Sequence, residues 1–157
     1  MSDATTVGVF LDSIRDRLLD RHGLAGVRVF TGPVDDLSIG QEAIVFCVEE
    51  TRAAFTYRTL PALEVFESYP VEGRIWIVKA GGGEAIVKAA RDRAIEILGE
   101  VLFELAAVNS PTTTTQAALG VDDARITSWS LTQFPIDGGR DCRLSFVIDV
   151  KSVFTPA

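Results

Sequence analysis

Apolar residues recur at helical spacing along one long segment, Glu84 to Ala107. They lie three and four residues apart, which at about 3.6 residues per turn places them along one side of a helix. We therefore predict one long helix whose apolar stripe packs against a sheet. The members of the stripe are Val87, Ala90, Ala94, Ile97, Leu98, Val101 and Leu105.

The opposite side of this predicted helix carries charged residues at four-residue steps. From Glu84 to Asp92 the charges alternate in sign, so neighbours on the helix attract one another. Glu96, Glu100 and Glu104 share one sign, repel one another and lie toward the negative end of the helix dipole. Because these three glutamates weaken their own helix, we ask which residues or which partner molecule they contact.

A shorter amphipathic pattern from Val7 to Leu19 predicts a first helix. Thr5 or Thr6 can cap its start, and a cationic last turn followed by Gly23 indicates its end. His22, the only histidine, is typical of a partner for the helix dipole, because no acid, nucleophile or second ligand stands near it in sequence.

Apolar runs before the long helix predict three strands. We expect a short strand at Gly26–Thr31, a buried strand within Gln41–Glu50 and a strand of about 15 residues from Leu63 to Ile77. Pro70 lacks the N–H that a ladder needs, which predicts an edge or a bulge. Residues 51–75 as a whole favour a hairpin or an extended arm.

After the long helix, Asn109 to Thr115 reads as an exposed polar loop. Ala124–Phe134 and Asp141–Phe154 predict a hairpin whose turn contains Asp137-Gly138. The order α-β-β-β-α-β-β predicts one α+β domain over residues 1–157, with a mainly antiparallel mixed sheet of about five strands.

Both helices should pack on one face of this sheet. The other face then carries polar and aromatic side chains that an interface could use or that water could simply solvate. These residues are Arg74, Trp76, Arg143, Asp149 and Lys151.

Composition and charge narrow the classes of function. The chain has 157 residues, 47% of them apolar, which suffices for a core without disulfides or a structural metal. No apolar run approaches the about 20 residues of a membrane span, so we expect a protein made in the cytosol without membrane association. A net charge of −7 and scattered arginines argue against nucleic-acid binding. Cys47 and Cys142 lie in apolar strand patterns and predict small buried side chains.

Few residues in the sequence are candidates for catalysis or for binding a ligand or a metal ion. Gly81–Gly83, between strand and helix, could cradle a phosphate on backbone N–H groups, but Glu84 would place a negative charge there and no Gly-Lys-Ser/Thr follows. Asp35 and Asp36 lack the spacing of a calcium loop, so a solvated turn is the better interpretation. We predict no cofactor and no enzyme, with a small-ligand or nucleotide site at the glycines as the weaker alternative.

Three stretches resemble the tail terminator, or tail-completion, proteins of long-tailed bacteriophages. These are RHGLAGVRVFTGPVDDL, RIWIVKAGGGEAIVKAARDRAIEILGEV and DGGRDCRLSFVIDVKS, starting at Arg21, Arg74 and Asp137. The order of elements is similar as well. The chain departs from the family pattern at Thr51 to Phe66, which is longer and more aromatic.

The resemblance implies a structural virion protein of the tail–neck region. Proteins of this family form a hexameric ring that ends polymerisation of the tail tube and offers a docking surface to the head connector, while DNA only passes through. They have no catalytic residues. Another head–tail joining or minor tail protein is the alternative.

In a ring, the acidic row of Glu96, Glu100 and Glu104 could meet arginines of an adjoining subunit or line a channel. A negative channel would let DNA slide without binding.

Overall fold

A mixed sheet with both helices on one face makes up the computed structural model, which describes residues 4–35, 40–58, 63–108 and 119–155. A short 3₁₀ turn at His22–Leu24 follows the first helix. The elements are α1 (Val7–Leu19), β1 (Arg28–Phe30), β2 (Glu42–Phe46), β3 (Ala54–Arg58), β4 (Glu64–Ala80), α2 (Glu84–Val108), β5 (Asp123–Ile136) and β6 (Gly139–Phe154).

The sheet has six strands in the order β1-β2-β4-β6-β5, with β3 paired to β4 beside that path. β1 and β2 are parallel, and every other pair is antiparallel. The predicted α+β fold with a mainly antiparallel mixed sheet is confirmed. The sixth strand, β3, was not predicted as a separate strand. All of its residues are exposed, so no buried face marks it in the sequence.

β4 is the central strand of the sheet. It pairs with β6 from Val65 to Ala80. On its other side it pairs first with β3, as far as Ser68, and then with β2, from Gly73 onward. Pro70 lies between these two partners, where β4 has no ladder neighbour on that side. β4 is a central strand, yet beside Pro70 it is paired on one side only, so the expectation of an edge holds locally, for that stretch of the strand.

One hydrophobic core lies between the sheet and the two helices. The predicted stripe of α2 faces it, with Ala90, Ala94, Ile97 and Val101 fully buried. α1 contributes the buried residues Phe10, Leu11, Ile14 and Leu18. The strands contribute Val71, Ile75, Ile77, Leu144, Phe146 and Ile148.

The ends of α1 use contacts that local sequence does not reveal. Thr6 is the N-cap residue, but its hydroxyl donates to the buried Glu67 carboxylate on β4 and accepts no hydrogen bond from a helix amide. At the other end Asp20 is the C-cap residue. Gly23 does not end the helix in a left-handed conformation, because it lies inside the 3₁₀ turn and has no positive φ. A Cβ at Gly23 would lie 2.5 Å from a carboxylate oxygen of Glu100, so the glycine instead makes room for that side chain.

The hairpin of β5 and β6 follows the prediction closely. Asp137 and Gly138 form its turn, and Gly138 has a φ of 73°, which glycine adopts without strain. A register shift between Ile126 and Ser128 marks a bulge in β5. The loop predicted at residues 109–115 lies outside the described residues, as does Asp36.

Candidate assembly surfaces

The acidic row of α2 meets arginines of its own chain. Glu104 is only 6% exposed and accepts hydrogen bonds from Arg17 Nε and Arg21 Nη1, each at 2.7 Å. Arg21 also donates to Glu100. α1 thus supplies the cations that the sequence led us to seek on an adjoining subunit, and Glu104 is a buried link between the helices.

Glu96 differs from the other two glutamates. Its side chain is 60% exposed, and its ion pair is with Arg93, three residues earlier on α2, at 2.9 Å. Arg93 is held mainly by Glu42 on β2, which it contacts through Nε and Nη2 at 2.9–3.1 Å. These hydrogen bonds raise the pKa of Arg93 above its usual value, outweighing the effect of burial. Of the three acidic residues, Glu96 is the one whose carboxylate faces solvent.

The solvent side of α2 is apolar in its C-terminal half. Ile95, Leu102 and Phe103 are 46%, 45% and 63% exposed, and Gly99 between them is exposed too. We call Ile95, Leu102 and Phe103 the α2 patch. This patch was not predicted, because the buried stripe by itself explains why the segment forms a helix. Its spacing of seven and eight residues from Ile95 is a signal that could have revealed it.

A second apolar surface lies on the arm formed by β3, the first half of β4 and the end of β6. Phe55 and Tyr57 are 43% and 61% exposed, their ring centroids lie 6.5 Å apart, and we call them the arm patch. Phe66, 39% exposed, is paired with Thr56 and Val153 on the opposite face of the sheet. The ring of Phe55 packs against Phe154 of β6, with centroids 6.5 Å apart. Three strands therefore support side chains that the core does not cover.

The sheet face opposite the helices holds the five residues expected there. Trp76 and Arg143 are directly opposite each other in the register of β4 and β6. Arg143 lies over the Trp76 ring at 4.1 Å and over Phe134 at 5.0 Å, and it donates two 3.0 Å hydrogen bonds to Asp141. Trp76 is consequently only 5% exposed. Arg143 is thus committed to contacts within the chain.

The remaining predicted residues of that face lie apart from this cluster. Asp149 and Lys151 are exposed further along β6, opposite Pro70 and Ser68 of β4. Arg74 lies beside Trp76 and forms no ion pair with any residue in the described part of the chain. Phe134 and Asp141 complete the cluster around Arg143. Both lie on predicted strands, but only the register shows that they meet Arg143.

The glycine-rich turn before α2 has at least one backbone amide that is already bonded within the chain. Gly81 and Gly83 have φ of 103° and 87°, and the amide of Gly81 donates to the carbonyl of Gly138 at 3.0 Å. Glu84 occupies the first turn of α2. Within the described ranges, no three His, Cys, Asp or Glu side chains are grouped as metal ligands would be. Over the same ranges, no helix is long and apolar enough to span a membrane.

The two cysteines have different environments. Cys142 in β6 is fully buried, and burial raises the pKa of its thiol to about 11, with a further contribution from Asp141. Cys47 was expected inside a strand, but it follows the end of β2 in a left-handed conformation, φ 54°, and is half-buried. Its Sγ lies 3.3 Å from Thr51 Oγ1.

Thiol labelling should distinguish the two. At pH 8 a thiol with a pKa of about 11 is ionised to only about one part in a thousand, and burial also blocks access. We expect one equivalent of a thiol reagent to react with native protein at Cys47, and Cys142 to react only after unfolding. The Cys47→Ser variant should show no labelling of the native state. Fast labelling of that variant would contradict the buried position of Cys142.

Comparison with known proteins adds one fold relationship. No protein family and no curated protein matches the sequence. The fold is similar to a chain from a solved structure described as the virion of a native gene transfer agent (GTA) particle. The TM-score is 0.52, and the identity is 12% over 96% of this chain and 100% of that chain. At this identity the similarity establishes a shared fold.

Proposed function

We propose that this chain is a structural virion protein, a tail terminator that forms a ring on the end of a phage tail tube. The observation that carries the proposal is the fold shared with a virion chain over 96% of this chain's length. In this role the ring ends tube polymerisation and presents a docking surface to the head–tail connector protein. Its partners are further copies of itself, the tail tube protein and that connector.

Two apolar surfaces suit the subunit of a ring. A ring needs two different patches on each subunit, because head-to-tail contacts close only when unlike surfaces meet. The α2 patch and the arm patch are unlike surfaces on separate elements, and both leave large apolar side chains in water. We assign them to the two sides of one heterologous contact, because the hydrophobic core between the sheet and the helices does not include them.

In this proposal, fewer residues of the acidic row are candidates for contacts with a neighbour or with DNA than the sequence suggested. Glu100 and Glu104 are neutralised by Arg17 and Arg21 in the same chain, so neither offers a free charge to a neighbour or to DNA. Glu96 remains the candidate for a subunit contact or for a channel lining. On the other sheet face, Asp149 and Lys151 are the exposed charges available to a partner.

Substitution in the α2 patch should block assembly without unfolding the subunit. Leu102→Glu places a charge where an apolar contact is proposed, so rings should be lost while the midpoint of urea unfolding changes little. Leu19→Glu on α1 is the matched control, because Leu19 is 48% exposed and Leu102 is 45% exposed. Native mass spectrometry of the protein with tail tubes measures the rings. Equal ring formation by both variants would exclude the α2 patch from the contact.

Another head–tail joining or minor tail protein would share the fold and the virion location. Electron microscopy of the protein mixed with purified tail tubes separates these roles. Rings at tube ends support the terminator, whereas binding only to isolated connectors indicates a different joining protein. Stabilisation of a monomer by a nucleotide would instead favour the ligand-binding alternative at Gly81–Gly83.

A further inference from the structure

One strand of the sheet, β5, has a long free outer edge. It stands at the end of the strand order and pairs only with β6 among the described strands. The bulge after Ile126 and Pro135, which has no N–H, bound the stretch Ser128–Phe134, which we call the β5 edge. Outside the β6 ladder, no described backbone group bonds to this stretch. Its outward N–H and C=O groups can therefore pair with one more strand.

The β5 edge carries none of the side chains that usually prevent strands from pairing at an edge. Natural proteins place lysines or other charges on such edges, because an open edge pairs with any strand that it meets. The stretch Ser128–Phe134 contains no charged residue, and Ser128, Trp129, Ser130 and Thr132 are exposed. An uncharged, exposed edge of this kind is typical of a strand that another molecule covers.

Two residues of the α2 patch lie on the side of α2 that overlooks β5. Glu100 contacts Arg21 and therefore marks the side of α2 that faces α1. At 3.6 residues per turn, Leu102 lies about 200° and Ile95 about 140° around the helix from Glu100. α1 packs beside β1, and β1 and β5 are at opposite ends of the strand order. The side of α2 away from α1 is therefore the side toward the β5 edge.

Along the helix axis, Ile95 lies at the level of Trp129. The Gln133 side chain donates to the carbonyl of Val87 at 3.3 Å, which fixes the position of α2 over β5. α2 begins where the β5–β6 hairpin turns and so runs opposite to β5. From Val87 to Ile95 is about 12 Å of helix, and from Gln133 back to Trp129 is about 13 Å of strand. Trp129 pairs with the core residue Phe146, which places its side chain on the helix side of the sheet.

The chain itself contains a strand that fits this edge. β3 pairs only with β4 among the described strands, and all five of its residues are exposed. Phe55 and Tyr57 pair with Glu67 and Val65, which are buried on the helix side, so both rings lie on that side as well. β3 runs opposite to β4, whereas β5 runs in the same direction as β4. Rotation about an axis along the strands therefore brings β3 of a second copy antiparallel to β5, with its aromatic rings on the helix side.

We propose that β3 of a second copy of this chain adds to the β5 edge as an antiparallel strand. This inference rests on the proposed ring and describes how the α2 patch and the arm patch meet in it. Phe55 and Tyr57 of the added strand lie beside Trp129 and Leu131, under Ile95. Main-chain hydrogen bonds supply affinity, and the cross-strand aromatic pairs supply specificity. The sheet thus continues from one subunit into the next.

Disulfide formation between introduced cysteines tests this contact. Thr56 of β3 faces away from the helix side, as do Ser128, Ser130 and Thr132 of β5, so cysteines there leave the apolar contacts intact. In a Cys47→Ser background, Thr56→Cys protein is mixed in turn with Ser128→Cys, Ser130→Cys and Thr132→Cys protein. Each mixture is oxidised at high concentration, with and without tail tubes, and run on a non-reducing gel. Asp149→Cys, an exposed position on the same face of β6, is the matched control.

We expect one of the three mixtures to form covalent dimers at least about tenfold faster than the control mixture, because residues held in a contact react at a raised effective concentration. A variant that carries both cysteines of that pair should give a ladder of larger species. Equal rates with Asp149→Cys, or no cross-link at any of the three positions, would overturn the strand addition. Dimers formed by a β5 variant alone would show that β5 pairs with β5 and would overturn the assignment to β3.

The same samples separate this inference from the terminator role. Rings on tube ends without any cross-link would overturn the strand addition and leave the terminator role standing. A cross-linked ladder from protein that leaves tube ends bare would support the strand addition and contradict the terminator role.

Discussion

Glu104→Lys is expected to lower the free energy of unfolding by about 3–5 kcal/mol, the cost of leaving buried charge unpaired. The substitution puts a third cation next to Arg17 and Arg21, where the side chain of Glu104 is 8% exposed. Such a loss is a large part of the about 5–15 kcal/mol that stabilises a typical domain. Urea unfolding followed by circular dichroism measures it.

Glu96→Lys is the matched control, with the same charge change on the same helix. Its side chain is 60% exposed and its ion pair within the described residues is with Arg93, so the effect should stay below about 1 kcal/mol. Equal destabilisation by the two variants would show that the link between α1 and α2 is not what makes Glu104 important. Because Glu104→Lys would impair the fold itself, only Glu96→Lys can test the acidic row as an assembly surface.

Gly73→Ala should lower the free energy of unfolding by about 1–3 kcal/mol, the usual cost of overpacking a core. Gly73 and Phe146 are directly opposite in β4 and β6, and the Phe146 ring lies over the glycine. A Cβ at Gly73 would come within 2.9 Å of three carbons of that ring. The ring has little room to move, since it is 1% exposed and packs edge-on against Phe46 at 6.0 Å.

Two further variants isolate that contact. Gly82→Ala, in the turn before α2, adds a Cβ with nothing within 4 Å and should change stability by less than about 0.5 kcal/mol. Combining Gly73→Ala with Phe146→Leu should cost less than the sum of the single substitutions, since the smaller side chain clears the added methyl. Strict additivity would mean that the ring and the glycine are not in conflict.

The parts of the fold that depend on periodicity could be predicted from the sequence. The apolar stripe of α2 and the alternation of β6 each identify one buried face, and the bounds of α1 were correct. β3 was not predicted, because a strand without a buried face shows no alternation of apolar and polar residues. Pro70 indicated a local edge, but local sequence could not show that this edge arises because β4, a central strand, changes partners there.

The candidate surfaces were harder to predict, and for a different reason. Spacing placed Glu100 and Glu104 in one row but could not indicate that Arg17 and Arg21, about 80 residues earlier in the chain, face them. The same limit applies to Arg143, whose place between Trp76 and Phe134 depends on the register of three strands. Partners distant in sequence decide whether a charged residue is a free surface or an internal link.

Negative-stain electron microscopy of purified tail tubes mixed with this protein tests the proposed function most directly. The terminator proposal predicts a ring of density on one end of each tube, absent from tubes incubated with the Leu102→Glu variant. Tubes whose ends stay bare, or tubes decorated along their whole length, would contradict it.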